Sequence, residues 1–301
     1  HDITQIMPGV TKDAVFRKGH IIREEDIPVL LSVGKDSVYI WENDETMMHE
    51  NDAAEVLYRM TANEHMHPSD AKEGKIEAIA DTEGLLKVDR EKLKKVNAFG
   101  EMMIATRHGN TVVKKGDKLA GTRIIPLVIK KDKMQEAEKI CDGTPILKIL
   151  PFTVKKAAII TTGNEVYHGR IKDAFTPVIE QKIAEFGAEM MFHEIFDDND
   201  RKITDGCLRA IEAGADIVFC TGGMSVDPDD KTPLAIKNTG AEMISYGSPV
   251  LPGAMFLLSY YRKGDKVIPI CGLPGCAMYN RRTIFDLVLP RLMAAASNEP
   301  V

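Results

Sequence analysis

Several features are scarce in this chain of 301 residues, and each scarcity argues against certain classes of function. Basic residues do not outnumber acidic ones: 39 Lys and Arg stand against 45 Asp and Glu, for a formal net charge of −6. This balance argues against a nucleic-acid partner, because such binding domains usually carry a net basic face. It still allows a small anionic ligand. No apolar run is long enough to cross a bilayer, which argues against a membrane partner.

Cysteine is also scarce, with five residues and no CxxC pair. An odd number of cysteines at irregular spacing is typical of free thiols in a reducing compartment, so we expect a cytoplasmic protein. The first residues, HDITQIMPGV, lack the basic start and apolar stretch of a signal peptide. Neither GxGxxG after the first strand of the second half nor GxxxxGK[ST] is present, so the common nucleotide-binding motifs are missing.

The sequence pattern changes near residue 150. Before that point, short mixed segments predict a small α+β domain over residues 1–150. After it, apolar runs of strand length alternate with helical segments, two of which begin with Thr-Pro and end with Gly. Such alternation indicates a parallel, doubly wound sheet. We therefore expect a second domain, residues 151–301, with a three-layer α/β/α fold around a mostly parallel sheet.

Two helix details follow from the same pattern. Thr176, followed by Pro177, predicts the N-cap of a helix over residues 176–187. The segment 276–296 predicts one long closing helix that bends at Pro290.

Three predicted strands of the second domain end in loops of one kind, TTGNE (161–165), TGGMS (221–225) and GLPG (272–275). In a parallel sheet these carboxyl ends lie at one edge, which is where ligands bind. Glycine allows close backbone approach, and the N–H groups of the next helix favour an anion. The hydroxyls of Thr161, Thr162, Thr221 and Ser225 add donors. A single such loop is more simply a tight turn, but three at one edge favour a cradle for a phosphate or pterin-type ligand.

Acidic side chains accompany these loops: Glu165, Asp173, Asp227, Asp229 and Asp230. Carboxylates repel an anion unless a metal ion lies between them. Mg²⁺ keeps several waters and joins one or two carboxylates to a phosphate, so it would reconcile amides and carboxylates at one site. An isolated acidic loop, by contrast, is usually just solvated.

The motifs of the second half resemble those of a known family. TTGNEVYHGRIKD and TGGMSVDPDDKTP are similar to the two signatures, TGDEL…G.I.D and TGG.S….D.T, of the molybdopterin-binding domain found in MogA, MoaB, MoeA and gephyrin. PVLPGAMF and CGLPGCAMY resemble the PGKP and LPGNP loops of the MoeA branch. KGHIIREEDIPVLLSVG resembles an early MoeA segment. The resemblance implies a MogA-like fold over residues 151–301 and a MoeA-related domain over residues 1–150, without the C-terminal β domain of MoeA.

What the family binds supplies further expectations. The resemblance implies molybdopterin as ligand or substrate, Mg²⁺, an ATP or AMP moiety, and a homo-oligomer. Matched by motif, Asp173 and Asp230 become the catalytic, metal-linked pair. With the hydroxyls and Glu165 noted above, the predicted ligand cradle comprises Thr161, Thr162, Gly163, Glu165, Gly222, Gly223, Ser225, Gly272, Pro274 and Gly275.

The sequence departs from the family pattern at the anion-binding loops. Ala254 stands where PGKP has lysine, and Cys276-Ala277 stands where LPGNP has Asn-Pro. The missing lysine removes a fixed cation from the place of molybdate, so pterin binding is favoured over molybdate insertion. Three functions remain open: transfer of nucleotidyl or molybdate groups in molybdenum-cofactor biosynthesis, carriage or sensing of the cofactor without catalysis, and CinA-like hydrolysis of a nucleotide or pyrophosphate.

Overall fold

The computed structural model describes residues 3–7, 11–17, 20–38, 44–225 and 227–294. The chain divides into two compact units. The first comprises His1–Asp81, Val88–Arg107 and Gly116–Lys148, and the second comprises Thr82–Lys87, His108–Lys115 and Ile149–Val301. The sequence predicts a single division after residue 150, whereas here two short segments of the first half belong to the second unit.

Eleven strands and four helices of the first half are described. In chain order they are β1 (Ile3–Met7), β2 (Thr11–Phe16), α1 (Ile27–Ser32), β3 (Met47–His49), α2 (Glu50–Thr61), β4 (Met66–Pro68), β5 (Lys75–Ala80), β6 (Gly84–Val88), α3 (Arg90–Asn97), β7 (Met102–Thr106), β8 (Thr111–Val113), β9 (Lys118–Ile124), β10 (Val128–Lys130), α4 (Lys131–Cys141) and β11 (Leu147–Leu150). A 3-10 turn, Glu24–Asp26, precedes α1. Strands β1–β2 and β10–β3 form two-stranded sheets, and a three-stranded sheet has the order β11-β6-β8.

The main sheet of the first unit is antiparallel, with the strand order β4-β5-β9-β7. Its residues alternate between a buried face and an open face, as expected for a sheet covered on one side. Helix α2 covers the buried face, where the Thr122 hydroxyl donates to the carbonyls of Ile76 at 3.2 Å and Ala54 at 3.4 Å. Lys75, Met103 and Arg123 lie on the opposite face, which the helix leaves open.

Six strands and five helices are described after residue 150. They are β12 (Lys156–Thr162), α5 (Asn164–Tyr167), α6 (Phe175–Ala184), β13 (Glu189–Phe196), α7 (Asp200–Glu212), β14 (Ile217–Thr221), α8 (Thr232–Asn238), β15 (Glu242–Tyr246), β16 (Leu257–Lys263), β17 (Lys266–Leu273) and α9 (Ile284–Met293). They form one sheet with the strand order β13-β12-β14-β17-β16-β15. The first four strands are parallel, and β16 and β15 join antiparallel.

Both faces of this sheet are covered by helices, which completes three layers. One apolar cluster joins the sheet to α6 and α9 through residues such as Ile183 and Phe285, and the other joins it to α7 and α8 through Ile203 and Ile236. The three-layer α/β/α prediction with a mostly parallel sheet is therefore confirmed. No helix within the described ranges has the length and apolar character needed to cross a membrane.

The prediction of one long closing helix is wrong. A 3-10 turn, Gly275–Met278, is followed by a break, and α9 begins only at Ile284. The helix restarts there because Thr283 and Asp286 form a capping box, with the Thr283 hydroxyl accepting from the Phe285 amide at 3.2 Å and Asp286 accepting from the Thr283 amide at 2.7 Å. Pro290 does lie within α9.

Candidate functional site

The ends of β12 and β14 define a crevice in the second unit. These two strands are neighbours, but β12 leads to α6 on one face of the sheet while β14 leads to α8 on the other. Ligands of open α/β sheets bind at such a topological switch point, beyond the carboxyl ends of the strands. The loops that begin at Gly163, Gly222 and Pro274 follow three adjacent strands, in the order β12-β14-β17.

A polar network ties β12 to the first turn of α6. The Thr161 hydroxyl donates to Asp173 Oδ2 at 2.9 Å, and the Thr176 hydroxyl donates to the same oxygen at 2.5 Å. His193 Nε2, from β13, lies 3.2 Å from the Thr161 hydroxyl oxygen, 3.1 Å from that of Thr176 and 3.4 Å from Asp173 Oδ2. The two hydroxyls thus connect the imidazole to the carboxylate.

The other oxygen of Asp173 caps α6. Oδ1 accepts from the amides of Phe175 at 2.8 Å and Thr176 at 3.1 Å, so Asp173 performs the capping role that the sequence assigns to Thr176. An ionised carboxylate has about four acceptor positions, and two amides and two hydroxyls occupy them. Burial raises the pKa of Asp173, but the hydrogen bonds from Thr176, Thr161 and Phe175 outweigh it and hold the pKa below its ordinary value. A metal ion would have to displace one of these donors.

A second network ties β12 to α8 on the opposite face. The Thr162 hydroxyl donates to the Thr221 carbonyl at 3.1 Å and lies 3.1 Å from the Thr232 hydroxyl, which itself donates to the Gly222 carbonyl at 2.8 Å. The side chains of Thr161 and Thr162 are buried and engaged with the protein. They position the loops, and a contact of these hydroxyls with a ligand stays a prediction.

The glycines of the predicted cradle fall into two classes. A Cβ at Gly222 would lie 2.1 Å from the Thr162 carbonyl oxygen, and one at Gly272 would lie 2.5 Å from Met224. Gly223 has a positive φ of 53°, and its Cβ would lie 2.9 Å from the Thr232 hydroxyl. Contacts within the protein therefore explain why these three positions are glycine.

Gly163 and Gly275 differ from that class. A Cβ at Gly275 meets no atom of the described residues within 4 Å, and one at Gly163 meets only Glu165, at 3.6 Å. Gly275 is exposed and does not have a positive φ. A side chain at either position would point into open space at the strand ends, although Gly163 also has a positive φ of 132°, which favours glycine there.

Acidic side chains converge beside this space. The Asn164 amide donates to Asp198 Oδ2 at 3.2 Å. Burial raises the pKa of Asp198, and the negative charges of Glu165, Asp229 and Asp230 raise it further, against the Asn164 hydrogen bond. Asp198 was missed in the sequence, although its position just after β13, at the same edge of the sheet, was a usable signal.

Asp230 differs from Asp173 in its hydrogen bonds. Its Oδ2 accepts from the Asp227 amide at 3.1 Å, and its own amide donates to the Asp227 carbonyl at 3.0 Å.

Among the described residues, no group of three or more His, Cys, Asp or Glu side chains is arranged to hold a metal. The carboxylates that converge here suit a hard cation bound through one or two of them, with water and ligand oxygens completing the shell.

Two further polar groups lie near the β14 loop. The Tyr246 hydroxyl, from β15, donates to the carbonyls of Met224 at 3.2 Å and Ser225 at 3.4 Å. Burial raises the pKa of Tyr246, and the charge of Asp230 raises it further. The Thr221 hydroxyl is fully buried and has no hydrogen-bond partner among the described residues. Tyr246 was not among the predicted site residues, because the strand that contains it, β15, was not predicted from the sequence.

A fourth loop reaches the same edge. Strand β16 runs antiparallel to β17, and Leu257 at its start pairs with Gly272 at the end of β17. The PGAM loop before β16, which contains Ala254, therefore lies at the strand ends.

The predicted cradle residues thus have unequal access to a ligand. Glu165, Ser225 and Gly275 are exposed, and Gly163, Gly222 and Gly223 are half-buried. Buried positions are Thr161, Thr162, Gly272 and Pro274. Ligand contacts by any of them remain predictions.

Comparisons with known proteins show which families the two parts of the chain resemble. Residues 158–294 match the family described as "Probable molybdopterin binding domain". The matched part of the chain, somewhat less than half of it, is therefore similar to that family of domains. Residues 1–42 match a separate family described as a domain of unknown function.

Curated proteins similar to this chain include putative competence-damage inducible proteins. That of Bacillus cereus strain B4264 is 30% identical over 129 residues, which are 43% of this chain and 30% of the relative. That of Bacillus velezensis is 32% identical over 85 residues, which are 28% of this chain and 20% of the relative. The chain therefore covers less than a third of either relative.

Solved structures similar to the domain include two from archaea. The tungsten cofactor synthesizing protein MoaB of Pyrococcus furiosus has a TM-score of 0.38 and 19% identity, covering 46% of this chain and 91% of that one. CinA of Thermoplasma acidophilum has a TM-score of 0.34 and 19% identity, covering 41% and 92%.

Proposed function

We propose that the second unit is a molybdopterin-binding domain, which binds molybdopterin or its adenylylated form at the carboxyl edge of β12, β14 and β17. The observation that carries this proposal is the adjacency of three glycine loops at the point where the chain leaves the sheet on opposite faces. The open space above Gly163 and Gly275 agrees with this proposal, because it leaves room for a ligand to approach the backbone.

The acidic side chains suit a metal that accompanies the ligand. Asp230 and Asp198 are the carboxylates best placed to hold Mg²⁺, since Asp173 is already saturated by donors of its own fold. Bound Mg²⁺ would neutralise phosphate oxygens and so favour nucleotidyl transfer. Burial, and then repulsion by Glu165, Asp229 and Asp230, raises the pKa of Asp198, and a cation would relieve the repulsion.

The buried threonines and Asp173 hold the loops and the first turns of the helices in place. Asp173, with Thr161 and Thr176, fixes the first turn of α6 against β12. Thr162 and Thr232 do the same for α8. Preorganised loops limit the entropy lost on binding, so these networks favour affinity without touching the ligand.

Molybdate insertion is the activity that the loops support least. Ala254 gives the PGAM loop no charge, so cations must come from residues such as Arg281 and Arg282, which are exposed after the 3-10 turn. We therefore expect weak molybdate-dependent AMP release from adenylylated molybdopterin, and an increase in Ala254→Lys. Rapid, saturable release by the wild type would instead indicate an ordinary molybdotransferase.

Mass spectrometry of the ligand that co-purifies with the full chain from a molybdenum-replete host tests the proposal. A pterin phosphate, with or without a nucleotide, supports it. Purification without pterin, followed by failure to bind added molybdopterin, would contradict it.

Hydrolysis of a nucleotide or pyrophosphate is the second candidate, and the relatedness to competence-damage inducible proteins favours it. An ATP turnover assay separates the alternatives. Pyrophosphate release that depends on pterin indicates an adenylyltransferase, turnover without pterin indicates a hydrolase, and binding without turnover indicates a carrier or sensor.

A further inference from the structure

A groove of about 350 Å³ lies in the first unit, on the open face of the β4-β5-β9-β7 sheet. It is shallow and widely open to solvent, so a ligand bound in it would stay partly exposed. Side chains and backbone of β5, β7 and β9 and the ends of these strands line it: Lys75, Glu77, Met103, Ala105, Thr106, Arg107, Lys118, Leu119, Ala120, Gly121 and Arg123. None of them belongs to the strand-end crevice described above.

The floor of the groove is flat and partly apolar. Strand register places Gly121 of β9 between Glu77 of β5 and Ala105 of β7. A Cβ at Gly121 would contact only the flexible end of Lys75, at 3.3 Å from Cε, so no bulky group covers the floor. Met103 is 40% exposed beside it. Such a floor suits a planar organic body.

The walls are basic, although the chain as a whole is acidic. Four cationic side chains and one carboxylate line the groove. Glu77 accepts from Lys75 at 2.5 Å and from Lys118 at 2.6 Å, and hydrogen bonds from Lys118 and then Lys75 lower its pKa. Arg107 pairs with Asp117 at 2.7 Å. Three of the four cations are thus partly neutralised by the protein.

Arg123 is the exception. Its Nε donates to the Ile124 carbonyl at 3.2 Å, and within the described part of the chain it forms no ion pair. Register places it between Lys75 and Met103, at one end of the floor. The terminal nitrogens of its guanidinium are therefore available for a phosphate, which arginine binds through two parallel hydrogen bonds.

We propose that this groove binds a small phosphate ester with a planar organic body, the phosphate at Arg123 and the body on Gly121, Ala105 and Met103. Single-stranded nucleic acid fits less well, because its binding depends on aromatic side chains and none lines the groove. The site does not depend on the function proposed for the second unit.

The experiment uses the full chain labelled with ¹⁵N-glycine and titrated with AMP, inorganic phosphate or adenosine. Gly121 is identified by the signal that disappears in Gly121→Val, and Gly275 reports separately on the crevice. We expect AMP to shift the Gly121 signal to saturation, with phosphate and adenosine each having a weaker effect. An unshifted Gly121 signal at millimolar AMP would overturn the proposal, and so would equal effects of phosphate and AMP.

Calorimetry on matched variants measures how much the cation and the floor of the groove each contribute to the affinity for AMP. Arg123→Gln removes the available cation, and Gly121→Val fills the floor at a position without positive φ, where a β-branched residue suits a strand. We expect each to weaken AMP binding about tenfold, which is ~1.4 kcal/mol. Arg59→Gln, on α2 and outside the groove, removes the same charge and should leave the affinity unchanged. Equal affinity in all four proteins would overturn the proposal.

Discussion

Thr161 and Thr162 end the same strand, yet they hold helices on opposite faces of the sheet through different hydrogen-bond partners. Thr161 contacts a carboxylate, Asp173, that also caps α6. Thr162 contacts only neutral groups, the Thr232 hydroxyl and the Thr221 carbonyl. The α6 side therefore has a half-buried charge whose acceptor positions are occupied by donors of the protein. On the α8 side, the carboxylates lie in the loop after β14, where Asp229 is exposed and Asp230 is half-buried.

This difference separates two aspartates that the family resemblance treats as a pair. Asp173 accepts from two amides and two hydroxyls, whereas Asp230 accepts from the Asp227 amide. Because its acceptor positions are occupied and it caps a helix, the Asp173 carboxylate contributes mainly to the stability of the fold. A carboxylate among like charges at the edge of a crevice is available for a cation or a ligand.

The largest expected effect is on stability, in Asp173→Ala. Two helix amides and two buried hydroxyls lose their acceptor, and we expect the free energy of unfolding to fall by about 3 kcal/mol. Urea denaturation followed by circular dichroism measures it. Asp229→Ala, in the exposed loop, is the control and should change stability by no more than about 0.5 kcal/mol. Equal effects of the two substitutions would contradict the distinction.

The pH dependence of the same carboxylate gives a smaller effect. The pKa of Asp173 in the folded protein is below its ordinary value of 3.8. Its contribution to stability is therefore complete above that pH and is lost as the pH falls through the lower, folded-state pKa. We expect Asp173→Asn to be less stable than the wild type by about 1 kcal/mol at pH 7 and to approach it below pH 4. A constant difference between the two proteins across this range would show that the charge is irrelevant.

Asp198→Asn should have the opposite sign. The pKa of Asp198 is raised by burial and by neighbouring carboxylates, so its charge destabilises the fold above that pKa and the penalty disappears as the pH falls. Asparagine keeps an acceptor for the Asn164 amide. Allowing for solvent screening, we expect a gain of about 0.5 kcal/mol at pH 7, visible as a higher melting temperature. A lower melting temperature would show that Asp198 is structural.

Asp230→Asn should leave the fold almost unchanged. We expect a change within about 0.5 kcal/mol in the free energy of unfolding, together with a roughly tenfold loss of Mg²⁺-dependent ligand affinity. Asp205→Asn, exposed on α7, removes the same charge as a control. A melting temperature that collapses in Asp230→Asn, or an equal loss of affinity in both variants, would remove Asp230 from the proposed site.

The sequence was sufficient for the layers of the second unit because strand-length apolar runs and glycine stops are local signals. It missed β15 and β16, which join the sheet antiparallel outside the repeated strand–helix pattern. Sequence pattern alone also joins the 3-10 turn to α9, because the apolar spacing continues across the break before the capping box at Thr283. The loop glycines were found, but which of them face open space depends on neighbours distant in sequence, as Gly222 against Thr162 shows.

The central claim is that a ligand occupies the strand-end crevice, and Gly275→Val tests it most directly. The position is exposed, has no positive φ, and would place the new side chain in open space. Ala184→Val, exposed at the far end of α6, is the matched control. In titrations with molybdopterin we predict that Gly275→Val keeps the wild-type melting temperature and loses affinity at least about tenfold, while Ala184→Val binds normally. A folded Gly275→Val that binds with wild-type affinity would contradict the account.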